Sequence, residues 1–484
     1  MRRSRTTRSR PHGAQGKRCT PAPYGPGGAA PAGYRRAAAS GRQAVVTGRV
    51  EQVAEGIGRV AQSAIYRAGS FGRRPAVPTD GDRLEAAAER TMSRRGFAYV
   101  AGSAGGEATA RANRDAFGRW RVVPRMLVDT SQRDLSVELL GRRHPSPLLV
   151  SPIGVLSAAH RDADLAVARA ARSASVTTVL STQASVPMEE VAATLGGSGF
   201  WYQLYWSRDD DLAASLVQRA EACGAEALVV TLDTAYLGWR PRDLDLGHLP
   251  FARGEGIAQY TSDPVFRRLV EGRVAAAAAA EPAPQPRPTP AAVRTLLSMS
   301  RNHPGSTREN VTSPVPRAAV ETFLDVFSRP SLTWDDLPRL RELTSLPVVL
   351  KGVLHPDDAR RAADAGVDAV WVSNHGGRQV DRSVGALDAL PGVVDALRTA
   401  GSDLPVLLDS GVRSGADAFV ALALGATAVG IGRPHVYGLA IAGQEGVEEV
   451  LRNVLAELDL TLALTGCRTL ADVTRERLVP APGS

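Results

Sequence analysis

Residues 346–378, LPVVLKGVLHPDDARRAADAGVDAVWVSNHGGR, contain two short apolar runs separated by an alanine-rich segment. The runs are PVVLKG (347–352) and AVWVSN (369–374), and neither alternates between apolar and polar residues. Continuous apolar runs of this length are typical of parallel strands that are buried on both faces. The segment between them, PDDARRAADAGVDA (356–369), has a helical pattern with a glycine near its end, where a helix commonly stops. The stretch therefore predicts two parallel strands joined by a helix.

The same arrangement recurs along most of the chain. Six further apolar runs are LLVSPI (148–153), TTVLST (177–182), FWYQLY (200–205), ALVVTLD (227–233), PVLLDSG (405–411) and TAVGIG (427–432). Helical patterns lie between most of them, as in RDADLAVARAARSA (161–174). Eight units in this rhythm predict a closed (β/α)8 TIM barrel, because an open doubly wound sheet rarely contains eight such strands.

Two regions depart from this rhythm. The fourth and fifth predicted strands start at residues 227 and 347, so we expect an insertion at about 241–330 in the fourth βα loop. Its Pro/Ala tract, AAAAAAEPAPQPRPTPAA (275–292), is typical of a mobile linker. Before the barrel, LEAAAERTMSRRGFAYV (84–100) predicts an N-terminal helical segment. We therefore expect one barrel domain over residues 58–484.

The net charge of +8 on the 484 residues is concentrated at the start of the chain. Residues 1–50 contain eleven Lys and Arg residues and no acidic residue, so the remaining chain carries −3. This segment is rich in Arg, Gly, Pro and Ala, which predicts a disordered basic tail over residues 1–57. A nucleic-acid-binding arm or an organelle transit peptide has a similar composition. An extension without a specific partner is favoured, and the acidic remainder argues against a nucleic-acid-binding protein.

Cysteine content and short motifs exclude several classes of protein. Cys19, Cys223 and Cys467 are too few and too scattered for a disulfide framework or a cysteine zinc site, which favours a reducing cytoplasm. No run of about 18 apolar residues occurs, so we expect no membrane-spanning helix. HExxH, CxxC, GxSxG and a strand-associated GxGxxG are absent, which argues against a catalytic metal, a serine hydrolase and a nicotinamide-binding domain.

In a barrel of this kind the functional groups lie at the C-terminal ends of the strands. Nearly every predicted strand end carries a glycine or a polar residue: Gly154, Ser181, Gln203, Tyr205, Thr231, Asp233, Lys351, Ser373, Asn374, His375, Asp409, Gly411, Arg413, Gly430, Gly432 and Arg433. Lys351 is distinctive because only it and Lys17 are lysines among 58 basic residues. Arg supplies nearly all of the other positive charge in the chain, so a lysine at the end of a buried strand is a candidate site residue.

Three loops have the composition of binding sites. DSGVR (409–413) and GIGRP (430–434) combine glycines with an arginine at the last two strand ends, where barrels of this type often bind phosphate. SNHGGRQVD (373–381) places His375 three residues before Arg378. An imidazole can act as a base near neutral pH, and an arginine can hold a carboxylate through two parallel hydrogen bonds.

These motifs resemble a known family. LPVVLKG, VSNHGGRQVD, LLDSGVRSGADAFVALALGA and IGRP together resemble the FMN-dependent 2-hydroxy-acid oxidases and dehydrogenases. WYQLYW, TLDTAYLGWRPRDLDLGHLPF and TSDPVF are similar to the lactate 2-monooxygenases within that family. The resemblance covers roughly residues 60–475 and leaves out the basic tail and the Pro/Ala tract.

The resemblance implies a role for each matching residue. His375 is expected to remove a proton from the substrate, Asp233 to pair with this histidine, and Lys351 to lie beside flavin N1 and O2. The substrate would be bound by Tyr99, Tyr205, Arg240 and Arg378, with Tyr205 also catalytic. FMN would be contacted by Gly154, Ser181, Gln203, Thr231, Ser373, Asp409, Gly411, Arg413, Gly432 and Arg433.

Three positions depart from the family pattern. Ser103 replaces a glycine, which we expect to be harmless. Gln183 stands where relatives have Trp, Ala or another pocket residue, and its amide would narrow the pocket or bind substrate. Tyr236 would add bulk near Arg240. None of these changes removes an expected catalytic group.

The resemblance implies oxidation of a short (S)-2-hydroxy acid, with L-lactate first, and molecular oxygen as acceptor. A lactate 2-monooxygenase would release acetate, carbon dioxide and water. The alternatives are an oxidase that yields the 2-oxo acid and hydrogen peroxide, and a dehydrogenase with another acceptor. Carbanion and hydride mechanisms both stay open. The family also implies a homo-oligomer, a tetramer or an octamer.

Overall fold

The computed structural model describes residues 56–280 and 289–482, which belong to one compact unit. Residues 1–55 of the predicted basic tail and residues 281–288 of the Pro/Ala tract lie outside the described residues.

Helices and short strands precede the barrel. They are α1 (Ile57–Ser70), α2 (Gly81–Thr91), α3 (Arg94–Ala101), α4 (Ala108–Gly118), β1 (Trp120–Val122), β2 (Val137–Leu139) and β3 (Arg142–His144). The helical pattern at 84–100 is divided between α2 and α3, because the Ser93 side chain accepts a hydrogen bond from the Gly96 amide and caps α3. The antiparallel hairpin of β2 and β3 places Leu139 in contact with the barrel interior.

Eight parallel strands form a closed barrel. They are β4 (Leu148–Val150), β5 (Thr177–Ser181), β6 (Phe200–Leu204), β7 (Ala225–Thr231), β8 (Val348–Lys351), β9 (Ala369–Val372), β10 (Val406–Leu408) and β11 (Ala428–Ile431). Each strand pairs with its sequence neighbour, and β11 pairs with β4 to close the sheet. The predicted (β/α)8 TIM barrel, with its N-terminal helical segment and long fourth loop, is therefore confirmed.

The strands end one to three residues earlier than their apolar runs predicted. In LLVSPI (148–153), for example, β4 ends at Val150, and Ser151 begins the loop. The apolar pattern continues past the hydrogen-bonded ladder because the first loop residues still pack against the strand ends. These residues carry the polar groups of the barrel mouth.

Helices surround the barrel. They are α5 (Ala163–Ala174), α6 (Met188–Leu195), α7 (Asp210–Ala222), α8 (Pro241–Asp245), α9 (Ala258–Thr261), α10 (Pro264–Ala279), α11 (Pro290–Asn302), α12 (Thr307–Thr312), α13 (Val315–Val326), α14 (Leu337–Leu343), α15 (Pro356–Asp364), α16 (Ala386–Thr399), α17 (Gly415–Ala423) and α18 (Arg433–Thr465). The backbone of α18 is non-helical at Ala442 and Gly443, and β12 (Leu478–Pro480) pairs with β1. Within the described part of the chain, no helix has the length and hydropathy needed to cross a membrane.

The barrel interior is filled by side chains from its own strands. Trp201 on β6 and Trp371 on β9 are the largest of them, and both are almost fully buried. Alanines at 227, 369 and 428 leave the space that these two rings occupy. Two of the few aromatic residues of the chain therefore fill space in the barrel interior.

The long connection between β7 and β8 contains α8 to α14. Its packing depends on buried aromatic rings, with Phe323 5.2 Å from Phe251 and 4.8 Å from Tyr260 between ring centres. The linker prediction for the Pro/Ala tract is wrong at both of its ends, because residues 275–279 continue α10 and residues 290–292 begin α11. Asp263 caps α10 by accepting hydrogen bonds from its first amides, and alanine has the highest helix propensity.

Candidate active site

The C-terminal ends of the barrel strands surround a cavity that is partly open to solvent. Fourteen of the predicted site residues line it: Tyr99, Gly154, Gln203, Tyr205, Thr231, Arg240, Lys351, His375, Arg378, Asp409, Gly411, Arg413, Gly432 and Arg433. The other three, Ser181, Asp233 and Ser373, form hydrogen bonds with residues of this wall. The structure therefore brings the whole predicted set to one place.

His375 and Asp233 form a mostly buried pair at the cavity, with their side chains 21% and 15% exposed. His375 Nδ1 lies 2.9 Å from Asp233 Oδ1, to which Thr234 Oγ1 also donates at 2.9 Å. Burial would raise the pKa of Asp233, but His375 and Lys351 lower it below its ordinary value. An ionised carboxylate only accepts hydrogen bonds, so the proton is assigned to Nδ1 and Nε2 stays an acceptor. Burial also lowers the pKa of His375 although Asp233 opposes the shift, which leaves the imidazole neutral at pH 7.

The loop that carries His375 depends on glycine. His375, Gly376 and Gly377 have φ angles of 58°, 66° and 79°, in the left-handed region that favours glycine. A Cβ atom on Gly377 would lie 2.6 Å from the backbone nitrogen of Ala110 on α4. Only glycine fits between this loop and α4, and the left-handed backbone of His375 is held there by its surroundings.

Lys351 belongs to a buried polar network. Its Nζ lies 2.9 Å from Asp409 Oδ2 and donates to Ser373 Oγ at 2.6 Å. Ser373 Oγ in turn donates to Asp409 Oδ1 at 2.6 Å. The ammonium group also lies 5.4 Å from the centre of the Trp371 ring. These contacts hold a positive charge at the base of the cavity, where Arg would not fit the same compact network.

Two guanidinium groups that form no ion pair with a carboxylate in the described part of the chain, those of Arg240 and Arg378, lie next to each other. Arg240 Nε donates to the Arg378 carbonyl oxygen at 3.2 Å, and Arg240 Nη2 donates to Gln379 Oε1 at 2.8 Å. Arg378 Nη1 donates to the Gly102 carbonyl at 2.8 Å, and its guanidinium lies 5.0 Å from the centre of the Tyr99 ring. Burial, with Arg378 nearby, lowers the pKa of Arg240 to about 10, so it is still charged at pH 7. The Asp243 carboxylate interacts with both guanidinium groups but forms no ion pair with either among the described residues, so positive charge remains to attract an anionic ligand.

A second pair of arginines, Arg413 and Arg433, follows β10 and β11, and Arg433 donates to the same Gly102 carbonyl as Arg378, at 3.1 Å. Burial lowers the pKa of Arg413 below its ordinary value and that of Arg433 to about 10. Arg433 donates to the Gly376 carbonyl at 2.9 Å and to Ser103 Oγ at 2.8 Å. A Cβ atom on Gly432 would approach no other residue closer than 3.9 Å, which leaves open space beside the backbone. Buried cations beside an open glycine loop are suited to a phosphate group.

A family model described as FMN-dependent dehydrogenase matches residues 88–480, most of the chain. The chain belongs to this family. It is 41% identical over 425 residues to the FMN-dependent alpha-hydroxy acid dehydrogenase qulF of Penicillium citrinum. This match covers 87% of this chain and 96% of that protein. It is 38% identical over 400 residues to an L-lactate oxidase of Lysinibacillus sphaericus, which covers 83% of this chain and 92% of that protein.

A solved structure of mandelate oxidase with (S)-4-hydroxymandelic acid is also similar. It has a TM-score of 0.67 and 36% identity, and the match covers 84% of this chain and 99% of that chain. Members of the family use FMN to oxidise 2-hydroxy acids, and so this protein is an FMN-dependent 2-hydroxy-acid oxidoreductase. Its preferred hydroxy acid is a separate question, because these relatives differ in substrate.

The cavity fits FMN. Gln203 Nε2 is buried without a hydrogen-bond partner among the described residues, because its amide is oriented by Ser181 Oγ, which donates to Oε1 at 3.0 Å. A polar ring with acceptor atoms would satisfy this donor. The buried arginines described above lie at the same cavity and suit the phosphate end of the molecule. Both the free Gln203 donor and the arginines are expected in a protein of the FMN-dependent dehydrogenase family.

Several cavity residues were not predicted from the sequence. They are Val100, Ser151, Thr234, Leu237, Phe251 and Ser410. Ser151 directly follows β4, so the strand-end rule was sufficient to find it. Phe251 reaches the cavity from the fourth loop, about 20 residues beyond its strand, and no local pattern marks it.

The three departures from the family pattern have different consequences. Gln183 is buried in the cavity wall, and a Cβ atom on Gly154 would lie 2.7 Å from its Cβ. Ser103 adds a hydrogen bond to Arg433. Tyr236, which was expected to add bulk near Arg240, has a side chain that is 71% exposed and does not line the cavity. The loop turns this ring outward.

Proposed function

We propose that the protein oxidises a short (S)-2-hydroxy acid, with L-lactate as the first candidate, and that His375 is the base. One observation supports this most directly. A neutral imidazole paired with a carboxylate lies in the same cavity as two guanidinium groups that form no ion pair with a carboxylate among the described residues. A base next to a carboxylate-binding pair is what a 2-hydroxy acid requires.

The substrate carboxylate binds to Arg240 and Arg378, and Tyr99 and Tyr205 complete this part of the pocket. Arg378 is already held by main-chain carbonyl groups, including that of Gly102, so little side-chain entropy is lost when the substrate binds. Burial raises the pKa of both tyrosines, which keeps their hydroxyl groups protonated as donors to the substrate.

When bound, FMN accepts the two electrons that leave the substrate. Gly154, Ser181, Gln203, Thr231, Lys351 and Ser373 would hold its ring, and Asp409, Gly411, Arg413, Gly432 and Arg433 would hold its ribityl chain and phosphate. His375 Nε2 takes a proton from the substrate, and Asp233 stabilises the imidazolium that forms. Lys351 supplies fixed positive charge at the base of the cavity.

A short substrate is supported by the apolar wall of the cavity. Leu237 and Phe251 line the cavity from the fourth loop, and Gln183 lines it from the second loop. Phe251 packs edge-on against Tyr99 at 6.4 Å between ring centres. A relative that is an L-lactate oxidase agrees with a small side chain on the substrate.

We propose molecular oxygen as the acceptor, with a lactate 2-monooxygenase outcome in which lactate and oxygen give acetate, carbon dioxide and water. The alternatives are an oxidase that gives pyruvate and hydrogen peroxide, and a dehydrogenase with another acceptor. An oxygen electrode combined with product analysis tests this. Catalase is added so that free peroxide does not convert pyruvate to acetate and carbon dioxide. Under this condition equal amounts of acetate and carbon dioxide support the monooxygenase, pyruvate formed with oxygen uptake supports the oxidase, and absence of oxygen uptake supports a dehydrogenase.

The remaining proposals concern the whole chain. Residues 58–484 form the catalytic domain and residues 1–57 a tail without a role in catalysis. The domain assembles as a homotetramer or octamer in the cytoplasm and requires neither nucleic acid nor a membrane. Size-exclusion chromatography with light scattering tests the assembly state.

A further inference from the structure

The side chain of Gln379 joins two loops of the active site. This residue follows Arg378 in the His375 loop, and its amide contacts the fourth loop at four points. Oε1 accepts hydrogen bonds from Arg240 Nη2 at 2.8 Å and from the Gly238 amide at 3.4 Å. Nε2 donates to the carbonyl oxygens of Asp233 at 2.9 Å and Tyr236 at 3.0 Å. The oxygen therefore faces two donors and the nitrogen two acceptors, so only one orientation of the amide satisfies all four contacts.

The two loops are also in direct backbone contact at this point. A Cβ atom on Gly238 would lie 2.4 Å from the Arg378 carbonyl oxygen and 2.7 Å from that of Gln379. Such close approach fixes the distance between the loops independently of the Gln379 side chain. Removal of the Gln379 side-chain amide should therefore change the orientation of the groups that it bonds to, and should change the position of the two loops less.

Among the groups that bond to the Gln379 amide, the Arg240 side chain is the one whose orientation matters most for ligand binding. Its fixed acceptors, the Arg378 carbonyl and the Gln379 amide, are both neutral. The Asp243 carboxylate interacts with Arg240 at longer range but forms no ion pair with it among the described residues. A neutral acceptor directs the planar guanidinium without cancelling its charge, which stays available for an anion. A glutamate at position 379 would instead neutralise Arg240 and repel the two carbonyl oxygens.

We propose that Gln379 is a positioning residue that orients Arg240 toward the substrate carboxylate. The inference rests on the proposed function, in which Arg240 binds that carboxylate. Gln379 itself contacts neither substrate nor cofactor. Its effect is on the affinity for ligands that carry a carboxylate, and it does not act on the proton transfer at His375.

The test compares a charged and a neutral ligand. Pyruvate and pyruvamide are titrated into FMN-loaded wild-type protein and into Gln379→Met, and the flavin absorbance change gives each Kd. We expect pyruvate to bind about 10- to 100-fold more weakly to Gln379→Met, because a charge-assisted hydrogen bond that holds Arg240 is lost. The affinity for pyruvamide should be nearly unchanged.

Two further variants make the test specific. Gln379→Glu adds a negative charge beside Arg240 and should weaken pyruvate binding at least as much as the Met variant. Gln444→Met is the matched control, because Gln444 Oε1 also accepts from an arginine, Arg169 Nε at 2.8 Å, and neither residue lines the cavity. It should bind both ligands as the wild type does.

The inference is overturned if Gln379→Met binds pyruvate with wild-type affinity, or if pyruvate and pyruvamide lose affinity equally. Loss of FMN or of thermal stability in both Gln379 variants would also overturn it, because the residue would then maintain the fold. If wild-type protein binds pyruvate but no short 2-hydroxy acid reduces its flavin, the proposed function fails while the carboxylate inference stands. A wild type that does not bind pyruvate overturns both.

Discussion

At the scale of single residues, His375 is the most direct test of the proposed chemistry. His375→Gln keeps a similar size but cannot accept a proton near neutral pH. We expect the anaerobic rate of flavin reduction by L-lactate to fall about 10²- to 10⁴-fold while FMN stays bound. His355→Gln is the control, because His355 is an exposed residue at the start of α15. Reduction of His375→Gln at the wild-type rate in stopped flow would disprove the assignment.

The same residue predicts a pH dependence. The base must be neutral to act, and burial lowers the pKa of His375 below its ordinary value of 6.5. The neutral form therefore persists to lower pH than in a free histidine, and activity is lost only as the pH falls through this lowered pKa. A profile of kcat/KM against pH should show an acid limb with its midpoint below 6.5. A midpoint above this value would contradict the burial argument.

Lys351 predicts an effect on stability as well as on catalysis. Lys351→Met removes the cation that pairs with Asp409, whose carboxylate is only 6% exposed. A buried charge left without its partner typically costs about 3–5 kcal/mol. Urea unfolding should show a loss of this size, together with slower flavin reduction. A double variant that also carries Asp409→Asn no longer contains the unpaired charge. It should regain much of the stability but not the rate of flavin reduction. A double variant that is no more stable than Lys351→Met would refute this account.

At the scale of structural elements, the contact between the His375 loop and α4 predicts a difference between two glycines. Gly377 and Gly401 have similar φ angles of 79° and 72°, but only Gly377 would place a Cβ against another backbone, whereas Gly401 has nothing within 4 Å. Gly401→Ala should cost about 1–2 kcal/mol from backbone strain alone. Gly377→Ala should cost about 1–3 kcal/mol more from the clash and should also reduce turnover. Chemical unfolding and steady-state assays measure both, and equal losses would show that packing against α4 is unimportant.

The elements also show which features the sequence predicts. The strands were predictable because each is a continuous apolar run, and the site residues at their ends follow from barrel geometry. Local patterns do not reveal contacts between distant segments, such as the position of Phe251 in the cavity wall or the bonds from Gln379 to the fourth loop. The helix over 275–279 was missed because the prolines that follow it dominated the composition of the tract.

At the scale of the whole molecule, the separation of charge between residues 1–50 and the rest of the chain leads to the last prediction. Removal of residues 1–55 takes away eleven basic residues, while the residues of the cavity all lie between Tyr99 and Arg433. The shortened chain should therefore bind one FMN per chain and oxidise L-lactate with unchanged kcat/KM. Its affinity for DNA at low salt should fall if the tail binds polyanions at all, because such binding depends on the number of cations. Loss of FMN or of turnover in the shortened protein would show that the tail takes part in the active site.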